Sequence, residues 1–266
     1  MRLWTADGEK GLMLLDAGGC RAVGPPGRLL ARAGGRICCA EDGACACYDL
    51  CGRETLRFPA PAGCCGLEAG NGLIYLLSSD CDSLGAWSAA TGVLAFSAPA
   101  GVYPRGLALS ADGRYLAAAG GAAGEIALFN PRLEQVGRVR VPGVAVGVCF
   151  LERGLAALCA AGDGEVTAAL LQISPRGVVK QIFSCPEAPC CLCRAGDGCA
   201  AGCHGAVYFL SPRGAVRRRL PCPYPEKLRA CGGLILIADP WQGRVLLDGG
   251  QTAYRGGAPS DAMLEM

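Results

Sequence analysis

The chain has 266 residues, a formal net charge of +2 and 52% hydrophobic residues. It is too apolar for disorder, and its near-neutral balance excludes the general basicity that draws proteins to nucleic acid or anionic membranes. No charge-free apolar run reaches the roughly 18–20 residues that a membrane helix needs.

Taken in order, the chain begins with a short apolar strand at residues 2–6, not with the long apolar core of a signal peptide, so a cytoplasmic location is expected. Nineteen cysteines are then expected as thiols, because disulfides do not persist in that compartment. From Pro26 onward one plan repeats. An apolar strand A, often entered through proline, is followed by a glycine turn, strand B, a loop, strand C, a turn and strand D. Strand A begins near Pro26, Pro61, Pro104, Val144, Pro189 and Pro225. Strand B follows at 36–40, 73–77, 114–119, 155–159, 199–201 and 234–238. The glycines that open strand B (Gly35, Gly72, Gly113, Gly154, Gly198 and Gly233) are spaced 35 to 44 residues apart. Two exits from strand C are nearly identical, Ser174-Pro175-Arg176-Gly177 and Ser211-Pro212-Arg213-Gly214.

Four short strands every 40 or so residues are the signature of a β-propeller. Residues 2–6 align with strand B and the tail, 259–266, with strand A. The C-terminal strand is therefore expected to pair with the N-terminal blade. The expectation is an all-β, seven-bladed propeller of four antiparallel strands per blade, closed by that strand, with residues 1–266 forming a single domain.

The least degraded copy spans residues 102–131. Within it, residues 104–116 (PRGLALSADGRYL), followed by 124–130, resemble the YVTN-type (YncE-like) seven-bladed propellers, relatives of the surface-layer and lactonase-like repeat proteins. That resemblance implies a scaffold shared by enzymes, binding modules and proteins of other roles.

Several residue groups are candidates for chemistry. Cys185, Cys190, Cys191, Cys193, Cys199, Cys203 and His204 crowd one segment, and thiolate and imidazole are ligands that zinc prefers. The spacing lacks paired Cys-x-x-Cys knuckles, however. Elsewhere cysteine stands where other blades carry alanine or isoleucine, as a compact apolar filler. No metal or cofactor is expected. His204, the only histidine, falls in a B-to-C loop at the rim. Arginines and lysines gather on strand D, the outer edge of each blade, where charge guards against edge pairing. They are not expected to form a nucleic-acid surface.

The D-to-A and B-to-C loops are expected to emerge on one face. That face would collect Tyr103, Asp163, His204, Tyr224 and Trp241 around a channel mouth lined by Gly27, Gly63, Arg105, Ala145, Cys190, Glu226 and Asp261. Exposed aromatic residues rimmed by mixed charge favour a protein or peptide contact. The leading expectation is thus a monomeric, non-catalytic interaction scaffold. It would bind a protein, peptide or small ligand through Tyr103, Arg105, Asp163, His204, Tyr224, Glu226, Trp241 and Asp261. A lactonase- or lyase-type enzyme with its site in the channel, and a thiol or metal protein using residues 185–204, remain alternatives.

Overall fold

A computed structural model describes residues 2–41, 43–161 and 166–265. They form seven four-stranded antiparallel sheets. Six blades run in sequence order from the innermost to the outermost strand. The seventh is composite: Pro259–Glu265 pairs with Arg2–Asp7, so that Arg2 faces Glu265, Trp4 faces Met263 and Ala6 faces Asp261. Innermost strands of successive blades touch in a closed cycle that includes the pair Lys227–Cys231 and Pro259–Glu265. The expected ring of seven, closed by its tail, is what the chain adopts. We number the composite blade one and count onward along the sequence.

The core lies between blades, because each sheet is apolar on both faces. Trp4, Leu12 and Leu14 of blade one pack on Leu30, Cys39 and Tyr48 of blade two. On the other face of blade two, Cys38, Cys45 and Cys47 pack against Leu67, Ile74, Leu76 and Trp87 of blade three. Cross-strand Cys38 and Cys47 bring their sulfurs to 3.0 Å as thiols. Cysteine here fills the inter-blade seams as a small apolar side chain.

On the channel side, Gly66, Gly106 and Gly147 occupy the same level in three successive blades, and a Cβ there would collide with the next blade. At Gly66 it would lie 2.6 Å from the Leu107 Cβ, and at Gly147 2.9 Å from the Leu192 Cβ. Glycine is required where the innermost strands converge.

Among the described residues, no helix is long and apolar enough to cross a membrane. Several basic strand D residues are engaged within their own blades. Arg57 pairs with Glu41 and Glu54, Arg138 and Arg140 with Glu125, and Arg217 with Asp197.

Candidate functional site

Each innermost strand begins with a local irregularity that decides which residue faces the channel mouth. In four blades the ladder skips one residue: Ser260, Cys65, Val146 and Cys190. In the other three, two successive residues share one carbonyl level on the neighbouring strand. Arg28 and Leu29 lie over Ala40, Arg105 and Gly106 over Ala119, and Glu226 and Lys227 over Ala238. A bulge turns the extra residue out of the ladder and re-aims its side chain. The result is one residue per blade in a ring: Ser260, Arg28, Cys65, Arg105, Val146, Cys190 and Glu226. All seven line a cavity of 550 Å³ at the mouth, with Lys227 one level deeper.

Three hydrogen bonds fix the charged members of this ring from the preceding blade. Ser260 Oγ shares its one proton between the Ala6 carbonyl at 3.2 Å and the Gly27 carbonyl at 3.3 Å, the latter immediately before Arg28. Cys65 Sγ donates to the Pro104 carbonyl at 3.0 Å, immediately before Arg105. Cys191 Sγ donates to the Pro225 carbonyl at 3.0 Å, immediately before Glu226. Small donors at the blade seams thus set the backbone from which each charge projects.

The mouth is electrically lopsided. Arg28 and Arg105 flank Cys65, and among the described residues neither they nor Lys227 form an ion pair. Glu226 is the one acid of the ring. Burial pushes its carboxyl above the ordinary glutamate value, against the pull of Arg28. Val146 and Cys190 make the opposite sector apolar. The two mouth thiols stay protonated at neutral pH, since burial pushes Cys65 up to about 11 and Cys190 up to about 12.

Beside the apolar sector stands an aromatic ledge. The His204 and Tyr224 rings lie 5.0 Å apart, and Tyr224 and Trp241 6.3 Å apart. His204 is the turn residue between strands Gly198–Cys203 and Gly205–Leu210, while Trp241 sits in the short helical turn Pro240–Gln242. Trp241 is 79% exposed. Across the mouth, Tyr103 is 62% exposed, its backbone held at a φ of 49° while its N–H donates to Asp82 Oδ1.

The structure therefore brings together Tyr103, Arg105, His204 and Glu226 around the cavity, with Tyr224 at its edge leading to Trp241. Asp163 lies outside the described residues. Asp261 is a correction: it is fully buried one level below the mouth, and Ser260 takes the place expected for it. Its carboxylate accepts from Arg229 and from the backbone N–H groups of Leu30 and Ala262. Gly27, Gly63 and Ala145 are likewise displaced by Arg28, Cys65 and Val146, because the number of residues between strand entrance and bulge differs from blade to blade. Arg28 went unpredicted for that reason, whereas Ser260 follows directly on Pro259 and the expected position lay one residue past it.

The cysteine-rich segment is not one site. The sheet divides it, with Cys185, Cys199 and Cys203 in the seam toward blade five and Cys190, Cys191 and Cys193 toward blade seven. Among the described residues, no three His, Cys, Asp or Glu side chains converge as a cation site. A second cavity of 410 Å³ opens at the other end of the channel, lined by Arg32, Glu68, Arg229 and Cys231.

No protein-family model matches the sequence, and no curated protein matches it. Solved structures match the fold. A protein from Lactobacillus plantarum has a TM-score of 0.74 at 13% identity, over 99% of this chain and 99% of that one. A candidate 6-phosphogluconolactonase from Bacteroides uniformis has a TM-score of 0.73 at 14% identity, over 98% of each chain. The RRP9 WD40 repeats have a TM-score of 0.71 at 14% identity, over 90% of this chain and 83% of that one. At such identities the likeness is one of architecture.

Proposed function

We propose that the chain is a non-catalytic interaction scaffold that binds a protein segment across the loop face, over the channel mouth and the aromatic ledge. The observation that carries this reading is the ladder of His204, Tyr224 and Trp241, which leads from the edge of the 550 Å³ cavity to a tryptophan with most of its surface in solvent. Tryptophan and tyrosine at a concave, mixed-charge surface are the residues that dominate protein contacts when covered. A lactonase- or lyase-type reading has less to work with. Of the two carboxylates expected in the channel, Asp261 is committed to Arg229 below the mouth, which leaves Glu226 as the one acid of the ring beside Arg28, Arg105 and Lys227.

Photo-crosslinking from position 241 tests the proposal. Benzoylphenylalanine replaces Trp241 in one variant and exposed Val178, on the loop before an outer strand, in another; each is irradiated in lysate. A discrete adduct from position 241 that weakens with Tyr224→Ala and is absent from position 178 is expected. Identical adducts from both positions, or none from 241, would overturn it.

A further inference from the structure

The lopsided mouth says more about the ligand than the ledge does. Arg28 and Arg105 project from bulges in blades two and four, on either side of Cys65, with Lys227 a level deeper in blade seven. None of the three is ion-paired among the described residues, although other arginines of the chain find acidic partners. Arg28 and Arg105 are both solvent-exposed, so they keep their charge at little cost and present it to an anion that enters the concavity. The backbone before Arg105 is pinned by Cys65 and that before Arg28 by Ser260, so both side chains start from fixed positions. Guanidinium groups take carboxylates through paired, charge-assisted hydrogen bonds.

We infer that the mouth is a carboxylate-binding site for an extended peptide. Its anionic group sits between Arg28 and Arg105, above Lys227, and its apolar residues run out past Val146 and Cys190 onto Tyr224 and Trp241. This rests on the loop-face reading above and adds the ligand's chemistry to it. Glu226 sets one negative charge against the three cations Arg28, Arg105 and Lys227, so the mouth keeps a surplus of positive charge and attracts an anion. The carboxylate has two sources, a free peptide C-terminus or an Asp or Glu side chain.

Affinity selection with four N-acetylated random hexapeptide libraries distinguishes these. One ends in a free carboxylate, one in an amide, one in glutamate amide and one in phosphoserine amide. Retained peptides are counted by mass spectrometry on the full chain, Arg28→Ala, Arg105→Ala and Trp241→Ala. The expected result is about tenfold enrichment of the free-acid library, the glutamate library or both over the plain amide. That excess should vanish in either arginine variant whose circular dichroism and melting match the parent. Enrichment of the free acid alone identifies a C-terminus, and of glutamate amide a side chain. Equal retention of the plain amide, or preference for phosphoserine, would overturn the inference. If plain amides bind the parent but not Trp241→Ala, the loop-face reading survives without it; if no library depends on Trp241, both fail.

Discussion

Arg229 Nη2 lies 2.6 Å from Asp261 Oδ2, and the same carboxylate oxygen accepts the Leu30 N–H at 2.9 Å. One fully buried side chain on the closing strand thereby joins blade one to blade seven on one side and to blade two on the other. The ring closes around this carboxylate.

Asp261→Asn is expected to destabilise the protein by about 3–5 kcal/mol, because it leaves Arg229 charged and unpaired in the channel wall. Urea unfolding measures the loss. The double variant Asp261→Leu/Arg229→Met should be less damaged than the two single changes together. A loss below about 1 kcal/mol in Asp261→Asn would mean that the pair does not secure closure. Any activity lost with Asp261 has to be read against this structural role.

Asp7 secures the same blade at its upper end. Burial pushes its carboxyl up, but N–H groups of Lys10, Glu9 and Ala258 and the Tyr254 hydroxyl outweigh it and hold the group below its ordinary value. A carboxylate depressed in the folded state stabilises it above the unfolded pKa, about 3.9, and loses that contribution as pH falls through the folded value. The gap in urea midpoint between the parent and Asp7→Asn should therefore be larger at about pH 6 than at about pH 3. A gap independent of pH would contradict this.

The repeat made the architecture legible. Turn glycines and strand-opening prolines are backbone requirements, so they persist where side chains have drifted, and the 36–40 strand coincides with Arg36–Ala40 in the structure. The mouth was legible only in part. Arg105, Cys190 and Glu226 each follow directly on the proline that opens their strand, and the expected position held. In blades two, three and five one or more residues intervene, and in blade one the expected position lay one residue too deep. Bulges are set by hydrogen bonding between strands, which hydrophobic periodicity does not record. The aromatic ledge needed three loops from blades six and seven to be placed together, although the residues themselves stood out.

Cys65 carries a prediction about positioning. Cys65→Val adds about one methyl group at this half-buried position and removes the donor to the Pro104 carbonyl, so Arg105 loses part of its fixed starting point. Peptide affinity should fall several-fold with the melting temperature little changed, while Cys65→Ser should retain most of the binding. Equal affinity in Cys65→Val and the parent would show that the hydrogen bond does not position Arg105.

Thiol accessibility tests the packing role of the cysteines. Cys20, Cys51 and Cys81 are exposed, whereas Cys38, Cys39, Cys45 and Cys47 are buried in the seams of blade two. An aromatic disulfide reagent should label the first three rapidly in the native protein and the seam cysteines only on unfolding. Rapid native labelling of Cys38 or Cys47 would mean that the seam opens.

The most direct test of the loop face as the binding surface uses its tryptophan. Trp4 is fully buried and Trp87 is 9% exposed, so acrylamide quenching reports almost entirely on Trp241. A peptide retained in the affinity selection, itself free of tryptophan, should shift the emission to the blue and lower the quenching constant at saturation. Both changes should disappear in Trp241→Phe. A peptide that binds by calorimetry while leaving Trp241 as quenchable as in the free protein would place the interaction elsewhere on the ring.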